Sequence, residues 1–464
     1  MRDLEDKLET TLVTRALISV PVDDFITPAA DDAAMRIAQL LTKRGIRGCF
    51  HVVGENARAM VRRGRRDVID ALKQHEIGFH SNRHSIYPLP IEAMDAGSWE
   101  HGVRAFVECE LPGCRDVAET FGRWPVYYTH RIAVAPQTIY GAHLLGMEAV
   151  GAPTVEPWPV MRYAGNLLVR WDVGFDPPNV PDDQVRPEGR VDKAVAEFAE
   201  IAESRDPRFP IRIFTHCNKY RTHANADSVN FAGARTPPRE AWQLPPLRGT
   251  GVAEMLYAQF GELLDRLVAL PEIEFVTYSD MVREFGPKPR WLSASDVRGV
   301  AAAVEREIDP VDIDGEALTC AEVFGVLCRF IAQGLEETAV RRIIGPLDVP
   351  LVTRTPCKVA SSELADVCRR IDQQIDDVHA MPNAIEHEGR RFGPGAWLRA
   401  MAASVLQEES HEIDVEPSPE YPAVVADEFF KVRDIRWGYY SERFTGEKIL
   451  SDIRAQSWSA APAG

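Results

Sequence analysis

The sequence lacks any apolar run of bilayer-spanning length, which excludes a helical membrane segment on hydropathy grounds. Its opening stretch, MRDLEDKLETTLVTRALISV, is acidic and amphiphilic where an export signal would need a basic patch, an apolar stretch and a small-residue cleavage site. Positive charge is also short. Against 70 Asp plus Glu there are 53 Lys plus Arg, and the net charge of −17 disfavours nucleic acid and anionic membrane surfaces as partners. The eight cysteines (Cys49, Cys109, Cys114, Cys217, Cys320, Cys328, Cys357, Cys368) show no zinc-ribbon spacing, and several sit in apolar segments where Cys acts as a small hydrophobe. They read as reduced thiols in a chain expected to be cytoplasmic.

At 464 residues the chain is too long for one ordinary core and points to two or three domains. From about residue 15 to 285, β-rich runs (ALISVPV, RGCFHVV, EIGFH, PVYYTHR, MEAVGAP, NLLVRW, IRIFT, IEFVT) alternate with helical patterns such as DDAAMRIAQLLTKRG. Such alternation predicts an α/β fold, a deformed (β/α) barrel of seven or eight strands, over residues 1–288. Two long segments, 172–190 and 217–250, each follow a strand directly and would lie over the catalytic face. After the proline-rich boundary FGPKPRWLSASD the strands are expected to stop. Residues 289–411 are predicted to form a mainly α-helical domain with a two-fold internal echo that pairs Gly315 with Gly389, and residues 412–464 an extension packing on the domains.

The run ISVPV ends in two adjacent carboxylates, Asp23 and Asp24, for which packing gives no reason. A later strand, EIGFH, is followed by HSNRH, which places His80 and His84 four residues apart. Both features fall at strand carboxyl ends, where barrel side chains converge. Two imidazoles and a carboxylate form an open site for a divalent metal, while a second carboxylate beside them can accept a proton from a water that the cation has acidified. The donor set accepts Zn²⁺, with Co²⁺, Fe²⁺ or Mn²⁺ as alternatives.

These motifs resemble the polysaccharide deacetylases of the NodB-homology type, carbohydrate esterase family 4. VDDF is similar to the family's first motif and HSNRH to its second, within a likeness that covers residues 15 to about 285. The resemblance implies Asp23 as general base and Asp24, His80 and His84 as metal ligands. It further implies Arg131, with Arg123 as rival, as the residue that orients the base, and His216 of IRIFTHC as general acid. In VRWDVGFD, Asp172 or Asp176 would buttress His216 and Trp171 would line the pocket. Departures are present: Phe25 replaces the usual glycine, Ser85 the usual proline, and RIAVAP lacks the Pro-Tyr of the third motif. Metal-dependent hydrolysis of an amide C–N bond in an N-acetylated sugar or small amide is the implied activity. The alternatives are a cyclic amide or ureide hydrolase on the same site and a non-catalytic carbohydrate- or protein-binding scaffold. His75 reads as a packing residue, and Cys217, beside His216, lacks a base in sequence.

Overall fold

The computed structural model describes residues 13–129, 135–407, 411–424 and 440–464. The amino-terminal unit is built on β1 (Thr14–Val22), β2 (Cys49–Val52), β3 (Glu76–Phe79), β4 (Tyr127–Thr129), β5 (Ala149–Gly151), β6 (Val160–Tyr163), β7 (Asn166–Val169), β8 (Val173–Gly174), β9 (Ile211–Phe214) and β10 (Ile273–Phe275). Each of the eight predicted runs contains a strand, and β6 and β8 are additional. Strand order is β6-β7-β5-β4-β3-β2-β1-β9-β8, with β10 also on β1. Among the described residues of this unit, only the β6–β7 pair is antiparallel. Parallel strands need crossovers, which the helices between them supply, and the result is a curled, deformed (β/α) barrel.

Alternation along β1 separates two cores. Ala16, Ile18, Val20 and Val22 pack outward with the helix Pro28–Thr42, whose Ala34, Ile37, Ala38 and Leu41 are fully buried. Leu17 belongs instead to the interior cluster with Cys49, Tyr127, Val169 and Tyr278. Gly78 is required within that interior because a Cβ there would lie 2.3 Å from the Tyr127 ring. Arg212, wholly buried on β9, donates to the Val169 carbonyl (3.3 Å) on β7 and to Ser19 Oγ (2.9 Å) on β1. It thereby links strands that lie on opposite sides of the barrel gap.

His75 precedes β3 and fastens the lower end of the barrel. The Gly48 amide donates to its Nδ1 (3.2 Å), which must therefore be unprotonated, while Nε2 donates to the Ala38 carbonyl (3.0 Å). Burial, with help from nearby Arg47 and Arg123, lowers its pKa to about 4. The folded state thus refuses a proton that the unfolded chain accepts near the ordinary histidine value. Stability is complete above that value and falls as pH drops from 6.5 toward 4, by about 3 kcal/mol in all. A His75→Leu variant should lose this part of the slope, read as the difference between the two proteins in urea midpoints across that window. Equal slopes would remove His75 from the account.

Beyond the barrel the chain is mainly helical, as expected, yet the strands do not stop. β11 (Trp291–Ser293) pairs with β14 (Glu337–Ala339), β12 (Val311–Ile313) with β13 (Glu316–Leu318), β15 (Cys357–Ala360) with β18 (Glu412–Val415), and β16 (Ile385–His387) with β17 (Arg390–Phe392). Runs of three or four residues are too short to show a period of two, so they escaped sequence reading. Gly315 and Gly389 occupy equivalent hairpin turns with φ of 82° and 74°, the left-handed region that a Cβ disfavours. The helix Ala294–Arg306 packs on Pro394–Leu406, and Cys320–Gln333 on Ser361–Val378, so helices from the two halves interlock.

We propose the domain division given above on the ground that residues 292–415 have their own apolar core, joined by Trp458 of the tail. The tail meets the barrel as well: Ile449 and Ile453 lie in its outer core, and β19 (Ala461–Pro462) adds antiparallel to β6. A buried ion cluster joins the two cores. Glu322 accepts from Arg162 of β6 (2.9 Å) and from Arg342 (2.7 Å). Its carboxyl stays below the usual range because these two guanidinium groups outweigh the effect of burial. Paired in this way, a buried charge is tolerated, whereas removal of one partner would leave the others exposed to the full desolvation cost.

Candidate metal centre

Register sets the site. Val22 of β1 stands opposite Val52 of β2, Val52 opposite Phe79 of β3, and Phe79 opposite Tyr128 of β4. The residues that follow, Asp23 and His80, therefore leave the sheet at the same level, with Thr129 beside them. His216 follows β9 by two residues. Parity decides which aspartate enters: Asp23 continues the interior row of Leu17 and Ser19, while Asp24 continues the outer row of Val20 and Val22.

One ligand atom each from Asp23, His80 and His84 lies within 4.8 Å of the others, and all three residues are buried. Asp23 Oδ2 is 4.0 Å from His84 Nε2 and 3.8 Å from His216 Nε2. The expectation drawn from the resemblance placed Asp24 with the histidines. In the structure its Oδ1 accepts from the Ile26 amide (3.1 Å) and the Thr27 amide (2.9 Å), which turns the chain into the helix Pro28–Thr42. The candidate group of three thus contains Asp23, expected as the base, while Asp24, expected as a ligand, keeps its Oδ2 buried without a hydrogen-bond partner. Burial pushes the Asp24 carboxyl up to about 7, against those two amide bonds.

All three imidazoles use Nδ1 outward. His80 Nδ1 meets the Thr129 carbonyl (2.8 Å), an atom that can only accept, so Nδ1 carries the proton and Nε2 keeps its lone pair. His84 Nδ1 pairs with the carboxylate of Asp227. His216 Nδ1 donates to Asp176 (2.8 Å), which also accepts from the His216 amide (2.7 Å) and from Lys219 Nζ (2.7 Å). Burial would raise the Asp176 carboxyl, but His216 and Lys219 outweigh it and hold it well below the usual carboxylate range. Burial holds His80 far below the ordinary imidazole value, hence neutral. Three Nε2 atoms and the Asp23 carboxylate thus face a common centre.

The HSNRH turn is pinned from beneath. Ser81 (φ 74°) and His84 (φ 54°) lie in the left-handed region, where a side chain is strained, and Ser81 Oγ accepts from the His84 amide (2.9 Å). Asn82 donates through Nδ2 to the Cys109 carbonyl (2.7 Å) and through its amide to Glu110, both on the helix Trp99–Phe121. That helix comes close only because residue 113 is glycine; a Cβ there would sit 2.6 Å from Asn82 Cα.

The remaining candidates separate by position. Asp176 is the partner of His216. Asp172 is taken by Arg205 (2.7 and 2.8 Å) and by the Arg212 amide (2.8 Å), and so fastens the sheet. Trp171, 40% exposed, has its ring 5.8 Å from Phe214, which in turn lies 4.8 Å from His216. Arg131 lies outside the described residues. Arg123, its rival, donates to the carbonyls of Lys73 and His75, at the end of the barrel away from the cluster. Cys217 donates its thiol to the Pro21 carbonyl (3.0 Å), and burial raises its pKa well above the ordinary thiol value, which leaves it unreactive. His51, wholly buried, stacks edge-on to His80 at 4.8 Å.

The donor set fits a divalent cation. Asp23 Oδ1 and Asp24 Oδ2 are buried without a hydrogen-bond partner, an arrangement that neighbouring carboxylates tolerate when a cation is close. Two imidazole lone pairs and a carboxylate make an open set of the kind zinc and similar ions accept, with positions left for water and substrate. Sequence reasoning did not identify Asp227, Thr129 or Lys219, because single polar residues in polar segments carry no spacing signal.

No protein-family model matches the chain, and no curated protein matches it. Among solved structures, a Mycobacterium smegmatis protein assigned as a polysaccharide deacetylase aligns at 15% identity with a TM-score of 0.38, covering 59% of this chain and 91% of its own. The 4-alpha-glucanotransferase of Thermococcus litoralis aligns at 14% identity and a TM-score of 0.39, over 63% and 46% of the two chains. BA3943 of Bacillus anthracis, a pseudoenzyme of carbohydrate esterase family 4, aligns at 11% identity and a TM-score of 0.31, over 58% and 66%. Likeness at this level carries no functional argument, which rests on the site.

Within the described residues no helix is long and apolar enough to cross a membrane.

Proposed function

We propose that the chain is a metal-dependent hydrolase that cleaves an amide C–N bond, with an N-acetylated amino sugar or a related small amide as substrate class. The observation that carries this reading is the convergence of Asp23, His80 and His84 within 4.8 Å, beside a His216–Asp176 pair. A divalent cation held by those three residues, Zn²⁺ or one of Co²⁺, Fe²⁺ and Mn²⁺, would supply carbonyl polarisation and a water of lowered pKa.

The chain's own residues supply the rest. Asp176 fixes the Nδ1–H tautomer of His216 and leaves Nε2 aimed inward, so His216 can hold a proton at Nε2 and pass it to a departing amine. With Asp23 among the donors, His216 is assigned in this reading to proton delivery, and the neighbouring Asp24, whose Oδ2 is buried without a hydrogen-bond partner, is the second carboxylate beside the centre. Arg131, in the segment after β4, is assigned in this reading to orienting the carboxylates. Trp171 and Phe214 form an aromatic path leading away from His216, suited to the apolar face of a sugar ring.

The test combines metal analysis of purified protein with a panel of N-acetylated amino sugars and cyclic ureides, scored for released acetate or ammonia before and after chelation. Chelator-sensitive acetate release supports the reading, and ammonia from ureides alone would move the substrate class. A protein that holds no divalent ion and is indifferent to chelator would overturn it in favour of a binding scaffold.

A further inference from the structure

The longest segment without extended regular structure in the barrel unit, residues 217–250, is folded onto the site. Its two ends are stitched together by the Arg248 amide on the Arg221 carbonyl (2.8 Å) and the His223 amide on the Pro246 carbonyl (3.0 Å). Within it, Asn230 donates to the Gln243 carbonyl (2.9 Å) and accepts from the Gln243 amide (2.8 Å). Phe25, the residue directly after the aspartate pair, packs on Phe231 at 6.2 Å and on Trp242 at 5.6 Å, so the segment is anchored beside the strand end that delivers Asp23. Arg239 lies over Trp242 and bonds Glu55, which fastens its outer edge. From this framework the short helix Ala226–Asn230 sends Asp227, only 5% exposed, to the Nδ1 side of His84.

We infer that Asp227 is a positioning residue for His84, and that the segment 217–250 is therefore a structural wall of the metal centre. The inference rests on the proposed metal site and adds to it a residue that no motif in the sequence marks. His84 sits on a left-handed backbone at the end of a tight turn, so its ring direction is not fixed by regular secondary structure. The neighbouring Ser85 hydroxyl, 3.4 Å from Nδ1, is a long and weak contact. The Asp227 carboxylate is the group that selects the Nδ1–H tautomer, orients the ring toward Asp23 and raises the electron density at Nε2. His80 obtains the same service from a backbone carbonyl, which no substitution can remove, whereas that of His84 depends on one side chain borne by one segment.

The test measures zinc affinity by competition with a chromophoric chelator, together with the visible ligand-field spectrum of the Co²⁺-loaded protein, in wild type, Asp227→Ala, Asp227→Asn and Arg239→Ala. Asp227→Ala should weaken zinc binding by roughly 10- to 100-fold and alter the cobalt bands. Asp227→Asn keeps an oxygen that accepts from Nδ1 and should recover part of the affinity. Arg239→Ala loosens the segment's outer edge without touching His84 and should bind as wild type does. Wild-type affinity and spectrum in Asp227→Ala, or an equal loss in Arg239→Ala, would overturn the inference; should Asp227→Ala fail to fold, unchanged binding in Asp227→Asn alongside an unchanged cobalt spectrum would do the same. A wild-type protein that binds neither ion would instead defeat the metal site itself.

Discussion

Asp23→Asn and His80→Ala should each remove the divalent ion from purified protein and abolish turnover, while Asp24→Asn should keep about one ion per chain. The contrast follows from parity on β1. Asp23 lies in the interior row, and its carboxylate is the anionic donor gathered with the two Nε2 atoms. An amide in its place keeps the shape but loses the charge that offsets a dication. With one of three protein donors gone, affinity should fall beyond the roughly 100-fold that loss of a supporting group produces. Asp24 instead spends Oδ1 on two backbone amides, a task that the Oδ1 of Asn performs equally well. Metal content measured on the three variants decides between the two aspartates. If Asp24→Asn emptied the site and Asp23→Asn left it full, the assignment drawn from motif resemblance would stand and the geometric one would fall.

The difference between the motif-based and the geometric choice of aspartate marks how much of the site is legible in the sequence. The strands of the barrel were legible because buried parallel strands appear as apolar runs between helical periods, and the positions of the aspartates and histidines at strand ends followed from them. Which aspartate faces inward was also legible in principle. Counting by twos from Leu17 through Ser19 reaches Asp23, whereas the motif resemblance points to Asp24. The choice between Asp172 and Asp176 was not legible, since it depends on Arg205 reaching Asp172 from a helix end. Nor was Asp227, whose approach to His84 is set by the packing of Phe25 on Phe231 and Trp242 across a segment with no periodic pattern. The four small two-stranded sheets of the carboxyl-terminal unit were missed because strands of three or four residues fall below the window in which alternation can be distinguished from helix. Only their turn glycines, Gly315 and Gly389, left a mark, because a positive φ constrains the residue type where a short strand does not.

His216→Ala should lower kcat by roughly 10²- to 10⁴-fold, the range for loss of a positioned proton-transfer group, while the protein keeps its metal at wild-type content. The two readouts separate because His216 Nε2 stands 3.8 Å from Asp23 Oδ2 without belonging to the group of three donors. Asp176→Asn should produce a smaller loss of the same kind. An asparagine can still accept from Nδ1–H, yet it can also present its own N–H to that nitrogen and so favour the tautomer that puts the proton on the wrong side. It also strips Lys219 of its carboxylate partner, 2.7 Å away, and leaves a nearly buried ammonium beside the imidazole. That cation would disfavour a protonated His216, the state needed to deliver a proton to the leaving amine. The Asp176→Asn, Lys219→Met double variant should therefore recover part of the loss, an outcome that a purely structural role for Asp176 does not predict. If His216→Ala emptied the metal centre, the imidazole would be a fourth donor, and proton delivery would have to come from another group.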